Sequence, residues 1–142
     1  MKNKTIIAVR GVASQGKSTT IKIAYSLLKE LYPTANIEEM CVGVDITVVI
    51  TVGRVKIGIE SQGDPNSRLF QSLEDFVKIG CKVILCATRS RGATVEAVNS
   101  LASIFLVKWY PKQGVSSKLK RDAADLSDAQ QIVAAVQEAI SA

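Results

Sequence analysis

Two glycines five residues apart, Gly11 and Gly16, bracket a short segment that runs on into Lys17, Ser18 and Thr19. Glycine at such points allows backbone angles and close anion approach that a Cβ would hinder. Main-chain amides of the loop, those of Ser14, Gln15 and Gly16 among them, can then face phosphate oxygens, while the Lys17 ammonium neutralises them. The Ser18 hydroxyl suits a hard cation such as Mg2+, and Thr19 offers a further phosphate contact. These residues can hold a polyphosphate, and Lys17 would also act catalytically if a phosphoryl group were transferred.

The chain has no histidine, so any catalysis must rest on carboxylates, lysine, arginine, hydroxyls, amides and a metal. An acidic group at a neighbouring strand end is needed to organise Mg2+, a water or an attacking hydroxyl. Glu60, at the end of Lys56-Ile57-Gly58-Ile59, fits that place best, with Asp64 four residues on as a second metal candidate. Asp64 reads equally as a helix cap, and Glu60 as a strand end paired across a hairpin. Asp45, placed on the polar face of the hairpin's first strand, reads as structural. Arg89 and Arg91 follow a predicted strand, where guanidinium groups could stabilise charge on a transferring phosphoryl group; they also suit an exposed turn. Lys112, Lys118, Lys120 and Arg121 belong to a basic stretch that reads as a solvated loop or as a lid over nucleotide.

These groups need elements to place them. Residues 5–10 form a nearly continuous apolar run that stops at Gly11, as in a strand covered on both faces. From Ser18 the period changes, with Ile21, Ala24, Leu27, Leu28 and Leu31 at helical spacing until Tyr32 meets Pro33. Residues 44–60 alternate as a β-hairpin about Gly53-Arg54, a register that sets Val52 against Val55, Ile50 against Ile57 and Thr47 against Glu60. Asp64 and Pro65 then mark a helix start, with Leu69, Phe70, Leu73, Phe76 and Val77 as its stripe and Gly80 as its end. A buried strand over 81–87, a helix carrying Val95, Val98 and Leu101, and a strand over 104–109 follow. Residues 111–124 read as an exposed loop before a last helix, whose start is marked by Ser127 and Gln130 and whose stripe is Val133, Val136 and Ile140. Alternating strands and helices predict a single domain over residues 1–142. Its fold would be a three-layer α/β/α sandwich on a mostly parallel sheet of about five strands, with one antiparallel edge strand from the hairpin.

The pattern GxxxxGK followed by Ser, set between a strand and a helix, resembles the Walker A loop of the P-loop NTPase superfamily. Chance alone would place the pattern in a chain of this length roughly once in two hundred sequences at average residue usage. The resemblance implies a nucleoside triphosphate as ligand, ATP with Mg2+, and phosphoryl transfer to water or to a small-molecule acceptor. Two family patterns compete downstream. Glu60-Ser61-Gln62-Gly63 is similar to the DxxG motif of GTPases with Glu for Asp, which would make Gly63 a γ-phosphate sensor. The guanine-reading pattern is missing, however, since the corresponding strand end reads Thr88-Arg89-Ser90-Arg91. Alternatively, Glu60-Ser61 with Ser67-Arg68 and Phe70 resembles the Glu-Arg-Ser region of deoxynucleoside kinases, with Ser61 in place of the family's Arg; there the carboxylate would take the acceptor's proton. A different class is a nucleotide-responsive binding module that acts with a protein partner and has negligible chemistry of its own.

Composition narrows the partners. The formal charge of +5 is spread along the chain and aromatic residues make up only 5%, which argues for a phosphate-bearing ligand rather than a nucleic acid. Three cysteines without CxxC spacing read as reduced core residues, not as a disulfide frame or zinc site. The first apolar run is too short for a signal-peptide core, and no run approaches the ~20 apolar residues of a membrane span, so a cytoplasmic protein is expected.

Overall fold

A computed structural model describes residues 3–11, 16–112, 115 and 117–142. Six strands and four helices follow in the order β1 (Lys4–Arg10), α1 (Lys17–Leu31), β2 (Asn36–Cys41), β3 (Thr47–Val52), β4 (Val55–Glu60), α2 (Leu69–Ile79), β5 (Val83–Thr88), α3 (Ala93–Asn99), β6 (Phe105–Pro111) and α4 (Lys118–Ser141). One mixed sheet takes them in the order β2-β3-β4-β5-β1-β6. β6, β1, β5 and β4 run parallel, whereas β3 lies antiparallel to both β4 and β2.

Alternation across β1 explains the two apolar clusters. Ile7 and Val9 join Ile21, Ala24 and Leu28 of α1 and Ile132, Val133 and Val136 of α4. Ile6 and Ala8 instead join Leu69, Leu73 and Phe76 of α2 and Val98 of α3. Successive side chains of a strand point to opposite faces, so a strand inside such a sheet reads as an unbroken apolar run. Gly58 of β4 carries no side chain because a Cβ there would lie 2.5 Å from the Phe76 ring.

The hairpin register is the expected one, Thr47 facing Glu60, Ile50 facing Ile57 and Val52 facing Val55, with Gly53 at φ +61° in the turn. Other expectations are corrected. The sheet has six strands rather than about five, and the hairpin is not its edge: β2 pairs outside β3. β2 reads poorly because Glu38, Glu39 and Met40 face solvent and its pairing is broken by an irregularity between Glu39 and Cys41. α2 starts at Leu69, not Pro65, since residues 64–67 close a turn through Ser67 N–H to the Asp64 carbonyl at 3.1 Å. Gln62 Oε1 and Ser67 Oγ accept from the amides of Arg68 and Leu69, so Asp64 is not the cap. α3 stops at Asn99, leaving Leu101 in the turn beyond it. α4 is much longer than expected: Ser117 caps it by accepting from Lys120 N–H, and Ser127 and Gln130 lie in its interior. Among the described residues no helix is long and apolar enough to cross a membrane.

Candidate functional site

Parallel strands β1, β5 and β4 end together, and ligands of open α/β sheets bind beyond such carboxyl ends. Gly11 closes β1, its amide donating to the Thr88 carbonyl at 3.2 Å. A Cβ on Gly11 would stand 2.5 Å from the Lys112 carbonyl oxygen, so close packing demands glycine there. Gly16 opens α1 at φ +86°, in the left-handed region that glycine tolerates. Val12, Ala13, Ser14 and Gln15 lie outside the described residues, Ser14 and Gln15 being the two expected phosphate contacts among them.

Lys17 is only 7% exposed, and its ammonium donates to the carbonyl oxygens of Gly11 and Thr88, each at 2.7 Å. Burial brings its pKa down to about 8; Asp64 opposes that shift and Arg89 adds to it. The ammonium is thus held by main-chain oxygens at the joined ends of β1 and β5, with no carboxylate bonded to it among the described residues.

From the next residue, Ser18 Oγ donates to Asp45 Oδ1 at 2.6 Å, and Ser61 Oγ donates to the same oxygen at 2.8 Å. The Ile46 amide fixes Ser61 by donating to its hydroxyl at 2.8 Å. Burial would raise the Asp45 pKa, but hydrogen bonds from Ser18, Ser61 and Gln62 and the charge of Lys22 hold it below the ordinary value. Asp45 therefore stands ionised beside the Ser18 hydroxyl. It occupies the bend before β3 rather than the polar face of that strand.

These groups open into a cavity of about 730 Å³. Its floor is Gly16, Lys17, Ser18 and Thr19 with Asp45; Ser61, Gln62, Gly63, Asp64, Asn66 and Ser67 form one wall. Gly63 packs against β5 so closely that a Cβ would meet Ala87 at 2.6 Å. The remaining wall comes from the first turns of α4, with Lys118, Arg121, Asp122 and Asp125.

Glu60, expected to position Mg2+ or an acceptor, is not in the lining. It is fully buried, its Oε1 accepting from Thr47 Oγ1 and Ser72 Oγ at 2.6 Å each and its Oε2 from the Gln62 amide at 2.9 Å, with Arg68 Nη2 at 3.4 Å. A carboxylate so engaged behind the wall sets the Gln62 backbone and ties β3, β4 and α2 together. Glu60→Ala should therefore lower unfolding free energy by about 2–4 kcal/mol, since it orphans buried donors and a guanidinium. Denaturant titration would register that loss while nucleotide affinity of the folded fraction stays within about twofold of wild type.

Asp64 does line the cavity, but its Oδ1 pairs with Arg89 Nε at 2.9 Å on an exposed rim. Neither Arg89 nor Arg91 is part of the lining, and Arg91 is exposed. Lys118 and Arg121 are cations that face the cavity, on helix rather than loop. Lys120 is exposed on the same turn and outside the lining. Lys112 is buried, its ammonium 2.6 Å from Asp125 Oδ1 and 2.6 Å from Asp128 Oδ2. Burial would depress its pKa, yet those two carboxylates raise it above the ordinary value.

Asp45, which reads as structural in the sequence, and Asp122 and Asp125 of the α4 wall are the lining residues that sequence reasoning missed, whereas Lys118 and Arg121 belong to the stretch read as a solvated loop or a lid. Nothing local marks Asp45, whose partner Ser18 lies 27 positions away. No group of three or more His, Cys, Asp or Glu that could hold a metal occurs among the described residues. Mg2+ commonly takes one or two protein oxygens and completes its shell with phosphate and water, a donor set that Ser18 and Asp45 fit. Comparisons with protein-family models, with curated proteins and with solved structures found no match to this chain.

Proposed function

We propose that the chain is an ATP-binding P-loop protein, built as a three-layer α/β/α sandwich, that carries out Mg2+-dependent phosphoryl transfer to water or to a small acceptor. The observation that carries this reading is the meeting of the Lys17 ammonium with the Ser18–Asp45 pair on the floor of one polar cavity. Lys17 exchanges its two carbonyl partners for β- and γ-phosphate oxygens. Ser18 and Asp45 would hold Mg2+, and the bound cation would supply neutralisation of phosphate charge. Ser61, Gln62 and the Gly63 amide lie where an attacking hydroxyl can be oriented, and Arg121 and Lys118 can meet charge on the phosphoryl group, the role first given to Arg89 and Arg91. Three free cysteines accord with a cytoplasmic setting, where thiols stay reduced.

Withdrawal of Glu60 from the cavity favours one alternative, a nucleotide-responsive binding module acting with a protein partner. Turnover separates the two. Phosphate release and product NMR with Mg2+ and ATP, GTP and candidate acceptor alcohols should show ATP consumed, faster with one acceptor if the chain is a kinase. Tight ATP binding without any turnover would establish the module.

ATP affinity should also fall as pH rises. The free Lys17 titrates near 8 and bound phosphate raises that value, so above pH 8 binding must take up a proton. Affinity then drops by up to about tenfold per pH unit, after the γ-phosphate has finished ionising. Titrations at pH 7, 8 and 9 should show the drop in wild type and its absence in Lys17→Ala.

A further inference from the structure

Lys112 follows directly on β6 and touches the Gly11 end of the phosphate loop. Its amide donates to the Arg10 carbonyl at 2.7 Å, and its own carbonyl packs on Gly11 so tightly that no Cβ fits. Its ammonium, 3% exposed, bridges Asp125 and Asp128 of α4. Asp125 in turn reaches the loop's far end: Thr20 Oγ1 donates to Asp125 Oδ1 at 3.4 Å, and that oxygen lies 2.8 Å from where a Cβ on Gly16 would stand. Asp125 also lines the cavity.

A carboxylate is an ill-suited neighbour for a polyphosphate. Two like charges a few ångströms apart in a partly desolvated site repel strongly unless a counter-charge accompanies one of them. Lys112 is that counter-charge, and it is not consumed by the ligand, because its ammonium faces α4. The same contact holds α4 against the loop, which keeps Arg121 and Lys118 on the cavity wall.

Resting on the phosphate-binding reading, we propose that Lys112 is a positioning residue for that site. Its ammonium, shared with Asp128, offsets the charge of Asp125 beside Gly16 and ties the Gly11 end of the loop to α4, while Asp125 reaches the Gly16 end, so that a polyphosphate is accepted next to an acidic side chain. The role is electrostatic as well as mechanical, and the two parts differ in sign for one substitution. Asp125→Asn removes the negative charge and keeps an oxygen for Thr20 and Lys112; a mechanical brace alone would be loosened by it.

The experiment is calorimetric titration of Mg-ATP, and of pyrophosphate, into wild type, Lys112→Met, Asp125→Asn and the double variant at one ionic strength. Lys112→Met should weaken ATP by about tenfold to a hundredfold, because Asp125 is left uncompensated. Asp125→Asn should bind about threefold or more tightly than wild type, and the double variant should recover to within about threefold of wild type. Should Lys112→Met fail to fold, Asp125→Asn carries the test alone. Weaker binding by Asp125→Asn, wild-type affinity in Lys112→Met, or a double variant no better than Lys112→Met would overturn the proposal while leaving the phosphate site standing. A wild-type chain that binds neither ATP nor pyrophosphate would overturn both.

Discussion

Replacing Lys17 by Ala should weaken ATP on the order of a hundredfold or more while leaving the melting temperature nearly unchanged. The two halves of that expectation have separate causes. In the ligand-free site the ammonium has lost water and gains, among the described residues, two main-chain carbonyls in return; burial brings its pKa down to about 8, so it is held at a cost. Removing it leaves Thr88 O still bonded to the Gly11 amide, and relieves the desolvation of a charge. On binding, the same ammonium gains anionic oxygens; charge-assisted hydrogen bonds contribute about 1.5–3 kcal/mol each, and every 1.4 kcal/mol is about tenfold in affinity. Calorimetry and a thermal melt on the same preparation check both halves. An unchanged ATP affinity would remove the loop from the binding site altogether.

Asp45→Ala should abolish most Mg2+-stimulated turnover, by on the order of a hundredfold, with a much smaller effect on nucleotide binding in the absence of metal. Asp45 is the ionised carboxylate bonded to the Ser18 hydroxyl, and its loss takes away the anion that adjoins the expected metal position through that hydroxyl. The contrasting variant is Glu60→Ala. A sequence reading assigns the metal-linked role to Glu60, whereas its two oxygens are already engaged by Thr47, Ser72, Gln62 and Arg68. Turnover measured against Mg2+ concentration separates them: Asp45→Ala should lose the metal response, and Glu60→Ala should keep it in whatever fraction folds. A turnover loss in Glu60→Ala with full stability would return the catalytic role to Glu60.

Sequence reasoning reached the parts whose cause is local. The run ending at Gly11, the helix after Lys17 and the hairpin about Gly53 each follow from periodicity and glycine, and each stands at its expected place. It failed where long-range contacts decide. β2 is an edge strand with glutamates facing solvent, so its alternation is faint and only pairing with β3 reveals it. The first turns of α4 are polar because they face a cavity and solvent, and polarity was taken for loop; the burial of Asp125 and Ala129 shows the helical face instead. Asp45 and Glu60 lie elsewhere than expected for a similar reason, Asp45 lining the cavity and Glu60 buried behind its wall. A strand-end glutamate looks catalytic by position, but the hydroxyls of Thr47 and Ser72 turn it inward, and the bend before β3 brings Asp45 to Ser18.

On the reading proposed above, residues from Gly11 to Thr19 hold the β- and γ-phosphates of a nucleotide. Calorimetric titration of the wild-type chain at pH 7 with Mg-ATP, and then with AMP, tests it most directly. ATP should bind saturably and one to one, strengthened by Mg2+, at an affinity at least about a hundredfold above that of AMP, which lacks the phosphates Lys17 would contact. Equal affinity for AMP and ATP, or no saturable binding of ATP with Mg2+ present, would contradict it.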